Sequence, residues 1–155
     1  MSNEIIQNND SLSTVETIEK RIYTVRGEHV MIDRDLADLY GVENRSLRQS
    51  VRRNMEKFPD DFLYKLTENE ANEVILRGVS QSVIPPGYNT GGMQMFAFTE
   101  QGIAMLSTVL KSANATSVSV AIMRAFVMMR RFLTANAALF QRMDMLEQKQ
   151  YTTVT

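Results

Sequence analysis

At 155 residues, 44% apolar and 23% charged, the chain has the size and composition of one globular domain, which excludes wholesale disorder and a fibrous repeat. It has no cysteine, so disulfides, thiolate zinc sites and cysteine nucleophiles are excluded together, and its polar N-terminus carries neither the apolar stretch of a signal peptide nor a membrane span. The net charge of −1 conceals a separation: residues 1 to 19 hold Glu4, Asp10, Glu16 and Glu19 with no Lys or Arg, whereas Asn44 to Lys57 holds Arg45, Arg48, Arg52, Arg53 and Lys57 against Glu56 alone.

In chain order, residues 1 to 19 lack a sustained apolar period and are expected to form a flexible acidic arm, with the domain beginning at Lys20. RIYTVRGEHVMI places Ile22, Val25, Val30 and Ile32 around Gly27-Glu28, as in a β-hairpin whose glycine supplies the turn. Asp33 then reads as a helix cap, Asp33 to Tyr40 as a short helix, and Gly41 as its left-handed stop. Asn44 is the expected cap of a second helix, with Leu47, Val51 and Met55 as its buried stripe and Arg45, Arg48, Gln49, Arg52 and Arg53 on the other side.

Phe58-Pro59-Asp60-Asp61 reads as a turn and Phe62 to Leu66 as a strand. Thr67-Glu68-Asn69-Glu70 is a capping box that opens a helix to about Arg77, and the prolines and glycines of Gly78 to Gly92 demand a long loop. Met93 to Phe98 returns as a strand, and Thr99 caps a helix to about Leu110 that buries Ile103, Leu106 and Leu110. A last helix starts near Thr116. Its heptad a and d positions are Ile122, Ala125, Met129, Phe132, Asn136, Leu139, Met143 and Leu146, widened along one side by Phe126, Leu133 and Phe140. The expected division is a domain over residues 20–134 and a helical extension over 135–155 that forms a coiled coil and frays at its end.

The fold class expected is therefore α+β: a β-hairpin followed by a helix-turn-helix, two further strands and helices, and a long C-terminal helix. LADLYGVENRSLRQSVRRN combines the small Ala37 where two helices approach, Gly41 at their turn, and a cationic second helix able to lie in a major groove. Arginine suits that place because its planar fork binds guanine O6 and N7 or holds a phosphate, and Asn or Gln reads adenine. The expected contacts to double-stranded DNA are Arg45, Arg48, Gln49, Arg52 and Arg53, with Asn44 at the cap and Lys57 on phosphate. A homodimer is expected through Ile122, Met129, Phe132, Asn136, Leu139, Met143 and Leu146.

LADLYGVENRSLRQSVRRNMEKFPDDFLYKLTENE, followed by FAFTEQGIAMLSTVLKS and VAIMRAFVMMRRF, resembles the KilA-N family of phage and bacterial DNA-binding domains, in the branch named for the N-terminal domain of a phage open reading frame six. The resemblance covers about Lys20 to Phe132 and implies DNA binding in a regulator of phage, prophage or mobile-element origin. Members often carry a second, C-terminal domain. Here the sequence runs into MDMLEQKQYTTVT, so an effector module is expected to be absent or to lie outside it, which puts antirepressor activity in doubt.

The remaining polar residues have structural readings. His29, the single histidine, is a strand residue without partners for a zinc site, and Asp60, Asp61, Glu68 and Glu70 are turn and cap residues. No nucleophile with its base, phosphate-cradling glycine motif or metal cluster is legible, so neither enzymatic activity nor a cofactor, metal or small-molecule substrate is expected. Arg124, Arg130 and Arg131 read as a solvated face, and Tyr88 with the 78 to 92 loop as a candidate wing against DNA. A cytoplasmic location is expected. The alternative function is a protein-interaction or oligomerisation module acting through the Met-rich C-terminal helix.

Overall fold

The computed structural model describes residues 15–80 and 94–153. Strand β1 (Tyr23–Val25) and strand β2 (Glu28–Ile32) form the hairpin. Val25 pairs with Glu28 across Arg26 and Gly27, whose φ angles of 53° and 76° are those of a type I′ turn matched to the twist of the strands. The turn thus falls one residue earlier than Gly27-Glu28. Helix α1 (Asp33–Tyr40), helix α2 (Asn44–Arg52) and a 3₁₀ turn (Met55–Lys57) follow, then β3 (Leu63–Lys65), α3 (Glu68–Ser80), β4 (Phe96–Thr99), α4 (Glu100–Val109) and α5 (Ala115–Thr153). The expected α+β class, with its long C-terminal helix, is the observed one.

All strand pairs are antiparallel and the sheet order is β1-β2-β4-β3, so the fourth strand inserts between the hairpin and β3. Side-chain alternation divides the sheet into two faces. Val30, Ile32 and Ala97 pack with Ala71 and Val74 of α3 on one face. Met31, Leu63 and Phe98 on the other join Leu36, Leu47, Ile103, Leu106 and Ile122 from the remaining helices. Phe58 meets Phe98 edge to face, with ring centroids 6.1 Å apart.

Three local devices hold these layers. The capping box closes reciprocally: the Thr67 amide donates to Glu70 Oε1 at 2.9 Å, and the Glu70 amide donates to Thr67 Oγ1 at 3.2 Å. The same Glu70 carboxylate receives Nε and Nη2 of Arg26, both at 2.8 Å, tying the hairpin turn to α3. Arg26 and the cap hydrogen bonds hold that carboxyl down at about 2. Thr99 caps α4 by accepting from the Gly102 amide at 3.3 Å, and its hydroxyl reaches the Asp61 carbonyl at 3.0 Å.

Several expectations need correction. Residues 15–19 are helical, and Val15 and Ile18 are buried in the core, so packed structure begins before Lys20. Asp33 does not cap α1: Ile32 occupies the cap, and the Asp33 carboxylate turns into the protein. Met55, expected in the buried stripe of α2, is 54% exposed because the helix ends at Arg52 and the chain enters the 3₁₀ turn. Ile122, expected at a dimer seam, is fully buried in the core of its own chain, and Met129 packs partly against that core. No helix among the described residues is long and apolar enough to cross a membrane.

Candidate nucleic-acid interface

The corner between α1 and α2 is built by a glycine. Gly41, at φ 68°, ends α1 in the left-handed region that side chains disfavour. Its amide donates to the Asp38 carbonyl at 3.2 Å and the Val42 amide to Ala37 at 3.0 Å, the paired bonds of a Schellman turn. Val42 folds onto the core, Ala37 is buried, and α2 packs across α1 through Leu47 and Val51. The Tyr40 hydroxyl lies 2.7 Å from Ser119 Oγ, anchoring α1 on α5, and Ser112, in the segment between α4 and α5, donates to the Tyr40 carbonyl at 3.1 Å.

With successive residues about 100° apart, Arg45, Gln49, Arg52 and Arg53 share one arc of α2 and its C-terminal cap, opposite Leu47. All four side chains are exposed. Arg45, Arg52 and Arg53 make no ion pair among the described residues, so their charge faces solvent. Lys57, half-buried in the 3₁₀ turn, extends the same end of the element.

Two residues of the expected contact set are engaged elsewhere. The Asp33 carboxylate, with no solvent exposure, receives Arg48 Nε at 2.7 Å, Asn44 Nδ2 at 3.1 Å and the Phe96 amide at 3.2 Å. Arg48 also donates to the Gln94 carbonyl, and its guanidinium carbon lies 5.0 Å from the centre of the Phe96 ring. A buried carboxylate requires such compensation. Arg48 and Asn44 therefore lock α2 to the start of α1 and to β4, and Asn44 is not the helix cap, a place taken by Glu43. Asp33 is the member of this site that sequence reasoning missed. Its partners lie 11, 15 and 63 residues away, beyond any local pattern.

Beneath the same edge of α2, a cavity of about 250 Å³ is lined by Leu47, Val51, Met55, Leu63, Phe96 and Phe98, with Arg48 and Arg52 at its polar side. Of the other basic residues, Arg130 pairs with Glu100, while Arg124 and Arg131 are exposed on α5. Tyr88 and residues 81–92 of the expected wing lie outside the described residues, whereas residues 78–80, expected to open that loop, continue α3. The described residues contain no cluster of three His, Cys, Asp or Glu able to hold a metal.

No curated protein and no solved structure matches the chain. The ORF6N domain matches residues 20–109, a span that runs from the segment before the hairpin to the end of α4 and contains the whole α1-turn-α2 corner. With more than half of its length matched in this way, the chain belongs to the phage-related ORF6N domain family.

Proposed function

We propose that this protein binds double-stranded DNA by laying α2 in the major groove, as a transcriptional regulator derived from a phage or mobile element. The observation that carries the reading is the arc of Arg45, Gln49, Arg52 and Arg53. Three guanidinium groups and an amide point outward from one helix face whose opposite side is locked into the core. A solvated helix face ordinarily balances its signs; this arc holds cations and an amide only. Arginine forks reach guanine edges or phosphates, Gln49 offers the donor and acceptor that match adenine, and Lys57 serves a phosphate at the helix end.

Asn44 and Arg48 take a different part in this account from the one their sequence positions suggested. They hold the helix at its angle, and direct readout falls to the residues on the outer arc. The wider kinship with KilA-N domains belongs to the same proposal, since it implies DNA binding.

Groove choice is tested by methylation interference on a duplex selected from a random pool. Methylation at guanine N7 lies in the major groove and should block binding; interference only from adenine N3 methylation, in the minor groove, contradicts the assignment. The alternative role, a protein-interaction module acting through α5, is favoured by the exposed apolar side chains from Phe132 to Leu146. It predicts function that survives neutralisation of the α2 arc and fails on charged substitution of Leu139.

A further inference from the structure

Beyond residue 131, α5 leaves the body of the protein. Ile122, Ala125 and Phe126 are buried against the core, but Phe132, Leu133, Leu139, Phe140, Met143 and Leu146 are each about half to two-thirds exposed. The apolar stripe thus continues in register for two heptads after the domain has ceased to need it. We propose that a second copy of this chain covers the stripe, as a parallel two-stranded coiled coil with Phe132, Asn136, Leu139, Met143 and Leu146 at the seam. This dimer does not depend on the DNA-binding reading.

Four observations select that occupant. The exposed apolar area of the six side chains is on the order of 600 Å² per protomer, so covering it twice reaches about 1,200 Å² in total, the lower edge of specific protein interfaces. Over residues 132–146 the charged residues are Arg142 and Asp144, so the segment opposes no copy of itself and offers neither the basic face an anionic lipid surface needs nor a cationic track for nucleic acid. Asn136 interrupts the seam at an a position. In a parallel, in-register pair it meets the other Asn136 and the amides can bond, whereas an antiparallel pair sets it against an apolar d residue. Finally, the buried part of α5 already holds the helix, so association does not have to meet the cost of nucleating one.

The test is sedimentation of the full chain with three substitutions, all at exposed or half-exposed positions away from the core. Wild type is expected to show a two-fold mass at high micromolar concentration, and Leu139→Glu to return it to monomer with unchanged thermal unfolding of the body. Asn136→Ile should tighten the association, because a polar residue at an a position costs the coiled coil stability. Met143→Cys, in a chain that has no other cysteine, should form a disulfide-linked dimer on mild oxidation, since identical a positions approach to disulfide distance only in the parallel pair. A monomeric wild type, or a dimer indifferent to Leu139→Glu, overturns the proposed seam. A dimer in which Met143→Cys does not cross-link overturns the parallel arrangement.

Discussion

Arg48 Nε lies 2.7 Å from Asp33 Oδ2, and that carboxylate has no contact with solvent. The pair joins the first residue of α1 to the middle of α2, and so sets the angle at which the basic helix leaves the protein. Removing Arg48 strands a buried charge with Asn44 and one backbone amide as its remaining partners. Arg48→Ala should therefore destabilise the fold by about 3 kcal/mol, whereas Arg52→Ala, on the exposed arc, should change stability by less than about 0.5 kcal/mol. Urea unfolding followed by circular dichroism checks this, and equal effects from the two substitutions would contradict the structural role given to Arg48.

Asp35 presents the opposite case, a carboxyl that is buried without adequate partners. Its Oδ2 has no hydrogen bond among the described residues, and Arg21 stands 3.8 Å from Oδ1 while donating more closely to Asp38 at 2.7 Å. Burial pushes the group up to about 6, against the opposing pull of Arg21. The folded state then binds the proton more tightly than the unfolded state. Asp35 contributes stability that is complete below about pH 4 and is lost as pH rises through 6. Asp35→Asn is expected to raise the melting temperature at pH 7, by the equivalent of about 2 kcal/mol, and to match wild type near pH 4. A variant no more stable than wild type at pH 7 would show that Asp35 is compensated in the fold.

Gly102 is required by a close approach of chain segments. A Cβ at this position would fall 1.9 Å from the Phe62 carbonyl oxygen, which the Thr99 amide also uses at 3.1 Å. The first turn of α4 cannot retreat without breaking the bonds that Thr99 makes to Asp61 and Phe62. Gly102→Ala should cost about 3 kcal/mol despite the higher helix propensity of alanine, while Ala104→Gly, also in α4, should cost no more than about 1 kcal/mol. Thermal unfolding of the two variants separates backbone crowding from propensity, and a neutral Gly102→Ala would contradict it.

Much of this organisation is legible in the sequence because it depends on local rules. The capping box at Thr67, the cap at Thr99, the left-handed Gly41 and the 33–40 helix all follow from residues within one turn of each other. The outward arc of α2 is legible for the same reason. What local rules miss is pairing across the fold. Nothing in the spacing of Asp33 reveals that it will collect Asn44, Arg48 and the Phe96 amide, so by local pattern these two residues of the basic segment are indistinguishable from their outward-facing neighbours. The heptads of α5 fail similarly at Ile122, because an apolar period is the same whether its cover comes from the chain itself or from another. Met55 kept the spacing of a core residue after the helix that would have buried it had ended.

The measurement that bears most directly on the account is fluorescence anisotropy of duplex DNA titrated with the protein across a salt series, with Arg45→Ala/Arg52→Ala/Arg53→Ala alongside wild type. Arg48 is left intact so that the comparison does not become one of folding. Engagement of four phosphates by each α2 should make log K fall against log salt with a slope of about −3.6 per protomer, and about −7 if two protomers bind together. The triple variant, folded by circular dichroism, should lose most of the affinity and most of that slope. A folded wild type that shows no salt-sensitive binding, or a triple variant that binds as wild type does, would contradict the assignment of DNA recognition to α2.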